Sequence, residues 1–154
     1  MRACLLALLL GVLPAACGVD TGPPLRASGI ALVSPMPGRA ATAAYMTLHN
    51  SSDRAVVLQR ISSPSFGVVE MHESTITDGI ARMQRLDSLT IAAKSSVQLA
   101  TGGKHLMLRE PQEALMPGSN ISLHLHYDDG GVLILNAPVQ TRYPDGAGEQ
   151  KSVE

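Results

Sequence analysis

Beyond Cys17 the chain has no cysteine, and its two thiols, Cys4 and Cys17, both lie within the first seventeen residues. The rest of the 154-residue chain can form no internal disulfide and offers no thiolate to a metal or a substrate. Tryptophan is absent and Phe66 is the only phenylalanine, so a core has to be built from Leu, Ile, Val and Met. Charge of neither sign dominates. Setting aside the first seventeen residues removes Arg2 and no acid, which leaves 11 basic against 13 acidic side chains. That balance argues against a polyanion-binding surface, and so against nucleic acid as a partner. The sequence has no internal repeat, no low-complexity block and no amphipathic helical pattern; Gln112–Leu115 could form at most one turn.

What is present begins with an export signal. Arg2 precedes an apolar run from Leu5 to Leu13, and Ala15-Ala16-Cys17 supplies small residues at a cleavage point. The run is too short to span a bilayer as a helix. Cys17 after two alanines resembles a bacterial lipobox, in which Cys17 becomes the lipidated first residue, although Pro14 stands where such boxes usually carry Leu. The alternative is ordinary cleavage to a soluble exported protein. Either reading sends the chain across a membrane, to the periplasm. The expected organisation is a signal at 1–17, a tether at 18–28, one domain at 29–140 and a polar tail at 141–154.

Within the domain, short β-like runs alternate with turn residues. They are Ile30–Ser34, Ala43–Asn50, Ala55–Ile61, Val68–Glu73, Ile80–Leu86, Ser95–Ala100, Lys104–Arg109, Asn120–Tyr127 and Val132–Val139. About nine short strands at regular spacing predict an all-β, antiparallel β-sandwich or barrel. Asp78-Gly79 and Asp128-Asp129-Gly130-Gly131 mark two hairpins.

Four residues in the central stretch share a chemistry: His72, Met83, His105 and Met107. Two imidazoles and two thioethers form a soft donor set that favours Cu(I) over hard cations. Strand alternation puts His105 and Met107 on one face of their strand, with Leu106 and Leu108 on the core face. A two-residue turn at Asp78-Gly79 sets Thr77 opposite Ile80 and His72 opposite Arg85. Met83 is then diagonal to His72 on the same face, about 7–8 Å away. Each pair is locally consistent, but their meeting requires a tertiary contact that spacing alone does not supply. The other His and Met residues read as structural. Met36, Met46, Met71 and Met116 are expected in the core. His49 is expected in solvent, and His124 and His126 on a solvated outer strand face.

The segments Ala43–Leu48, Glu70–Glu73, Asp78-Gly79, Gly103–Leu108 and Asp129–Gly131, with the four soft ligands at their spacing, resemble the periplasmic copper chaperones of the PCuAC family. The resemblance covers about residues 29 to 139. It implies a cupredoxin-like β-sandwich holding one Cu(I) through His72, Met83, His105 and Met107. It also implies delivery to the binuclear copper site of cytochrome c oxidase, on its copper-bearing subunit, alongside Sco-type thiol proteins. Some relatives add a His/Met-rich tail; Thr141–Glu154 has neither residue, so no second site is expected there. A blue-copper electron carrier would need a Cys thiolate, which the domain lacks. No nucleophile–base motif supports an enzyme. A copper-buffering or resistance protein without a dedicated acceptor, and an adhesion module with incidental His and Met, are the competing classes. The carrier is expected to act as a monomer.

Overall fold

The computed structural model describes residues 23–35 and 39–141. The export signal with Cys17, residues 18–22 of the expected tether, Met36 and all but the first residue of the tail lie outside these residues. Ten strands and no helix make up the described part: β1 (Leu25–Val33), β2 (Ala41–Asn50), β3 (Val56–Ser62), β4 (Phe66–Thr77), β5 (Ile80–Leu86), β6 (Leu89–Ile91), β7 (Ser96–Leu99), β8 (Lys104–Pro111), β9 (Asn120–Tyr127) and β10 (Val132–Gln140). They run β5-β4-β8-β2-β1-β10-β9-β3-β6, with β7 sharing an edge of β2 beyond the part that β8 occupies.

The all-β expectation holds, with three corrections. The sheet is mixed, because β1 runs parallel to β10, with Leu32 opposite Val139 and Val33 opposite Gln140. There are ten strands because Leu89–Ile91 pairs with β3. This three-residue strand, with Leu89 and Ile91 buried around exposed Thr90, is too short to stand out by alternation. Finally, β1 starts at Leu25, inside the segment expected to be tether. Leu25 is fully buried and pairs with Asn50, which draws 25–28 into the sheet.

The core is leucine-rich. Leu25, Leu32, Leu48, Leu58, Leu106, Leu108, Leu123 and Leu125 have no exposed surface, and they join Phe66, Met46 and Met71 in one cluster drawn from both halves of the sheet. Each fully buried leucine contributes about 1.5–3 kcal/mol, so such a core needs neither Trp nor a disulfide. Strand alternation explains the sides: Ile121, Leu123, Leu125 and Tyr127 of β9 are buried, while Ser122, His124 and His126 sit on its outer face. At the β9–β10 turn, Gly131 lies under the Tyr127 ring so closely that a Cβ would meet ring carbons at 2.3 Å. Met116 departs from expectation: it is exposed, on the loop between β8 and β9, where the adjacent Leu115 packs against the core instead.

One buried polar residue ties the two halves together. Asn50 is 2% exposed, and its amide Nδ2 donates to Arg54 O (2.7 Å), Ile91 O (3.0 Å) and Ala92 O (3.0 Å). Its Oδ1 accepts from the Ser52 amide and hydroxyl. Asn50→Ala removes the amide from these carbonyls, of which Arg54 O keeps the Ser52 hydroxyl, and should lower unfolding free energy by about 1–3 kcal/mol in urea denaturation; an unchanged midpoint would show that the staple carries no stability.

The outer face of β9 predicts a pH effect. Burial lowers the His126 imidazole below its ordinary value, and the charges of Arg60 and His124 act in the same direction. The folded state therefore resists a proton that the unfolded chain accepts, and stability falls as pH drops through about 6.5 and below. His126→Gln should flatten that decline in a series of Tm measurements. A decline as steep as in the wild type would assign it to other groups.

Candidate metal centre

Asp78 (φ 54°) and Gly79 (φ 76°) form a two-residue turn with both residues in the left-handed region, the geometry that matches the twist of a hairpin. The register follows as expected, with Thr77 opposite Ile80, His72 opposite Arg85 and Ser74 opposite Met83. On its other side β4 pairs with β8, and here His72 is directly opposite His105, and Glu70 opposite Met107. Paired residues share a sheet face, so all four candidate ligands project to the same side around His72. The two imidazole centroids are 6.0 Å apart, with the rings tilted by 52°. The structure thus brings together the two pairs that sequence spacing left separate.

The four side chains differ in access. His105 is 7% exposed and the His72 side chain 13%, whereas Met83 on the edge strand is 53% exposed. The sequence suggested that the His105–Met107 face points away from the core. It does, since Leu106 and Leu108 fill the core, but His105 is nonetheless covered. Tyr45 and Ala43 of β2, Ser34, Arg39 and Thr101 wall an open cavity of about 490 Å³ into which Met83, His105 and Met107 face.

Hydrogen bonds define which nitrogen each ring offers. His105 Nδ1 lies 3.0 Å from Gly103 O, so Nδ1–H donates and Nε2 keeps a free lone pair. For His72 the roles are reversed. Its Nε2 is 3.2 Å from Glu70 Oε2, and its Nδ1 is buried with no hydrogen-bond partner. Leaving such an atom unpaired costs about 1–3 kcal/mol, a cost that a bound cation can offset. One ring nitrogen tied back to a carbonyl or carboxylate while the other is left open is the usual arrangement of a metal-ligating histidine. The donor set therefore fits a soft ion. Among the described residues no group of three or more His, Cys, Asp or Glu side chains could hold a metal, and the further donors on this face are the two thioethers.

Glu70 was not singled out from the sequence, although its position two residues before His72 on a strand puts it on the same face. Its Oε1 accepts from Arg85 (3.3 Å) and its Oε2 from Arg109 (2.9 Å). Burial pushes the Glu70 carboxyl up, but the His72 hydrogen bond and the charges of Arg109 and Arg85 outweigh it, and the net shift is downward. Among the described residues, the other His and Met side chains fall where expected, Met116 apart. Met71 and Met46 are buried, and His49 is exposed beside Ser28. His124 and His126 are on the outer face of β9, hydrogen-bonded to Ser122 and Ser62.

Comparison with known proteins gives a consistent picture. The Cu(I) form of DR1885 from Deinococcus radiodurans is 29% identical, with a TM-score of 0.66, over 82% of this chain and 84% of that one. The copper-bound PCuAC domain of PmoF2 is 23% identical with a TM-score of 0.66, over 78% of this chain and 95% of that one, and shares the fold. Lxx21020 of Leifsonia xyli subsp. xyli, a lipoprotein by name, is 30% identical over 104 residues, 67% of this chain. The chain spans 58% and 63% of the length of the curated relatives it matches. The family model for LpqE-like lipoproteins matches residues 25–139, from the first residue of β1 to the penultimate residue of β10, and the chain belongs to the LpqE-like family.

Proposed function

We propose that this protein is an exported copper chaperone that carries one Cu(I) ion as cargo between His72, Met83, His105 and Met107. The observation that carries the reading is the buried, unpartnered Nδ1 of His72, next to a His105 whose own Nδ1 is tied back. The donors would be His72 Nδ1, His105 Nε2 and the two thioether sulfurs. Thioethers do not protonate at ordinary pH and bind more weakly than thiolates, which suits a site that must both hold Cu(I) and release it. The similarity to DR1885, solved with Cu(I), and to the copper-bound PmoF2 domain supports copper as the cargo.

In this reading the protein is a carrier and not an enzyme, because four protein donors leave no open position for a substrate. Met83 is the natural point of exchange. It is the most accessible of the four, so an incoming ligand can replace it first. The acceptor would be the copper-bearing subunit of cytochrome c oxidase, with Sco-type thiol proteins acting alongside. Attachment to a membrane through a lipidated Cys17 agrees with the lipoprotein names of the relatives.

Titration of the exported protein with Cu(I) against a chromophoric chelator should give one equivalent bound. Replacing both Met83 and Met107 by Ala should weaken binding by more than about 100-fold, beyond the loss typical of an outer partner of a ligand. Unchanged affinity in that double variant would rule out the site. In cells, deletion should impair oxidase assembly and added copper should restore it. Impaired copper tolerance with normal oxidase would instead favour a buffering role.

A further inference from the structure

We propose that Glu70 is a positioning residue for this centre: held by Arg85 and Arg109, its carboxylate fixes the His72 ring with Nε2 protonated and Nδ1 presented as the free donor. The inference deepens the copper reading, and its first measurement needs no copper.

A histidine ring has two nitrogens, and which one carries the proton in the neutral form is set by the hydrogen bond the other surroundings allow. At His72 only one partner is present. Nε2 meets Glu70 Oε2 at 3.2 Å, and Nδ1 meets nothing. A carboxylate oxygen can only accept, so the contact selects the Nε2–H tautomer and leaves the lone pair on the buried Nδ1. Without Glu70 the ring could turn over or shift its proton, and Nδ1–H would occupy the place of the donor.

The carboxylate itself has little freedom. Arg109 reaches the same oxygen as His72, at 2.9 Å, and Arg85 reaches the other oxygen at 3.3 Å. The two arginines arrive from opposite sides, Arg85 from β5 and Arg109 from β8, and Glu70 lies between them on β4. The same two strands carry Met83 and Met107. The clamp therefore spans the three strands that supply all four candidate ligands, and it fixes one carboxylate with charge-assisted bonds from both neighbours. Glu70 itself touches His72 and would not contact the cargo.

The test compares the full chain in its wild-type, Glu70→Ala and Glu70→Gln forms. Gln keeps an oxygen in the position shared by Arg109 and His72. Long-range proton–nitrogen spectra of metal-free, histidine-labelled protein should show His72 as a single Nε2–H tautomer in the wild type. The same tautomer is expected in Glu70→Gln, and a mixture or the Nδ1–H form in Glu70→Ala. Cu(I) affinity should fall about 10–100-fold in Glu70→Ala and largely recover in Glu70→Gln. If the Ala variant does not fold, a double Arg85→Gln, Arg109→Gln variant frees the carboxylate and should loosen the same tautomer. An unchanged His72 tautomer in the folded Ala variant, or in the arginine variant where Ala does not fold, overturns the proposal. If the wild type binds no Cu(I), the copper reading fails, while the tautomer comparison still decides the role of Glu70.

Discussion

The candidate site depends on one piece of register, the pairing of β4 with β8 that sets His72 opposite His105. Side chains alternate along a strand, so a slip of one residue would turn His72 to the opposite face from His105. Hydrophobic burial prevents that slip. Met71 pairs with Leu106 and Val69 with Leu108, and both leucines have no exposed surface. Moving β4 by one residue would bring Glu70 and His72 into the core and expose Met71. The apolar residues between the ligands thus hold the polar ones in place, and the site is a by-product of core formation on the other face of the same strands.

That dependence explains what could be read in the sequence. The β4–β5 register was legible to the residue, because Asp78-Gly79 dictates a two-residue turn and everything after it follows by counting. The His105–Met107 pair was legible because it needs only alternation. The β4–β8 pairing was not, because it joins segments some thirty residues apart and no local rule fixes it. The strands' apolar patterns agree with the pairing but do not name the partner. The parallel β1–β10 contact was hidden for the same reason.

The remaining discrepancies are informative in another way. Met116 and Met46 have the same composition and different fates, since only packing decides whether a methionine is core filler. Asn50 ends β2 where the sequence ended the strand, but its amide also holds the Ile91 and Ala92 carbonyls at the end of β6. Glu70 stood in plain view two residues before His72. Only the convergence of Arg85 and Arg109 distinguishes it from an ordinary strand carboxylate.

The position of β5 at the end of the sheet has a mechanical consequence. Among the described residues no strand pairs with its outer edge, and every residue from Ile80 to Arg85 is exposed, so the strand contributes almost nothing to the core. Segments with few buried contacts open at far lower free energy than the domain as a whole. Met83 therefore rides on the part of the molecule that can peel away most cheaply, while His72 and His105 are anchored on strands that cannot. In the proposed carrier, the grip on the cargo could be relaxed by fraying one ribbon, with the leucine interior left undisturbed.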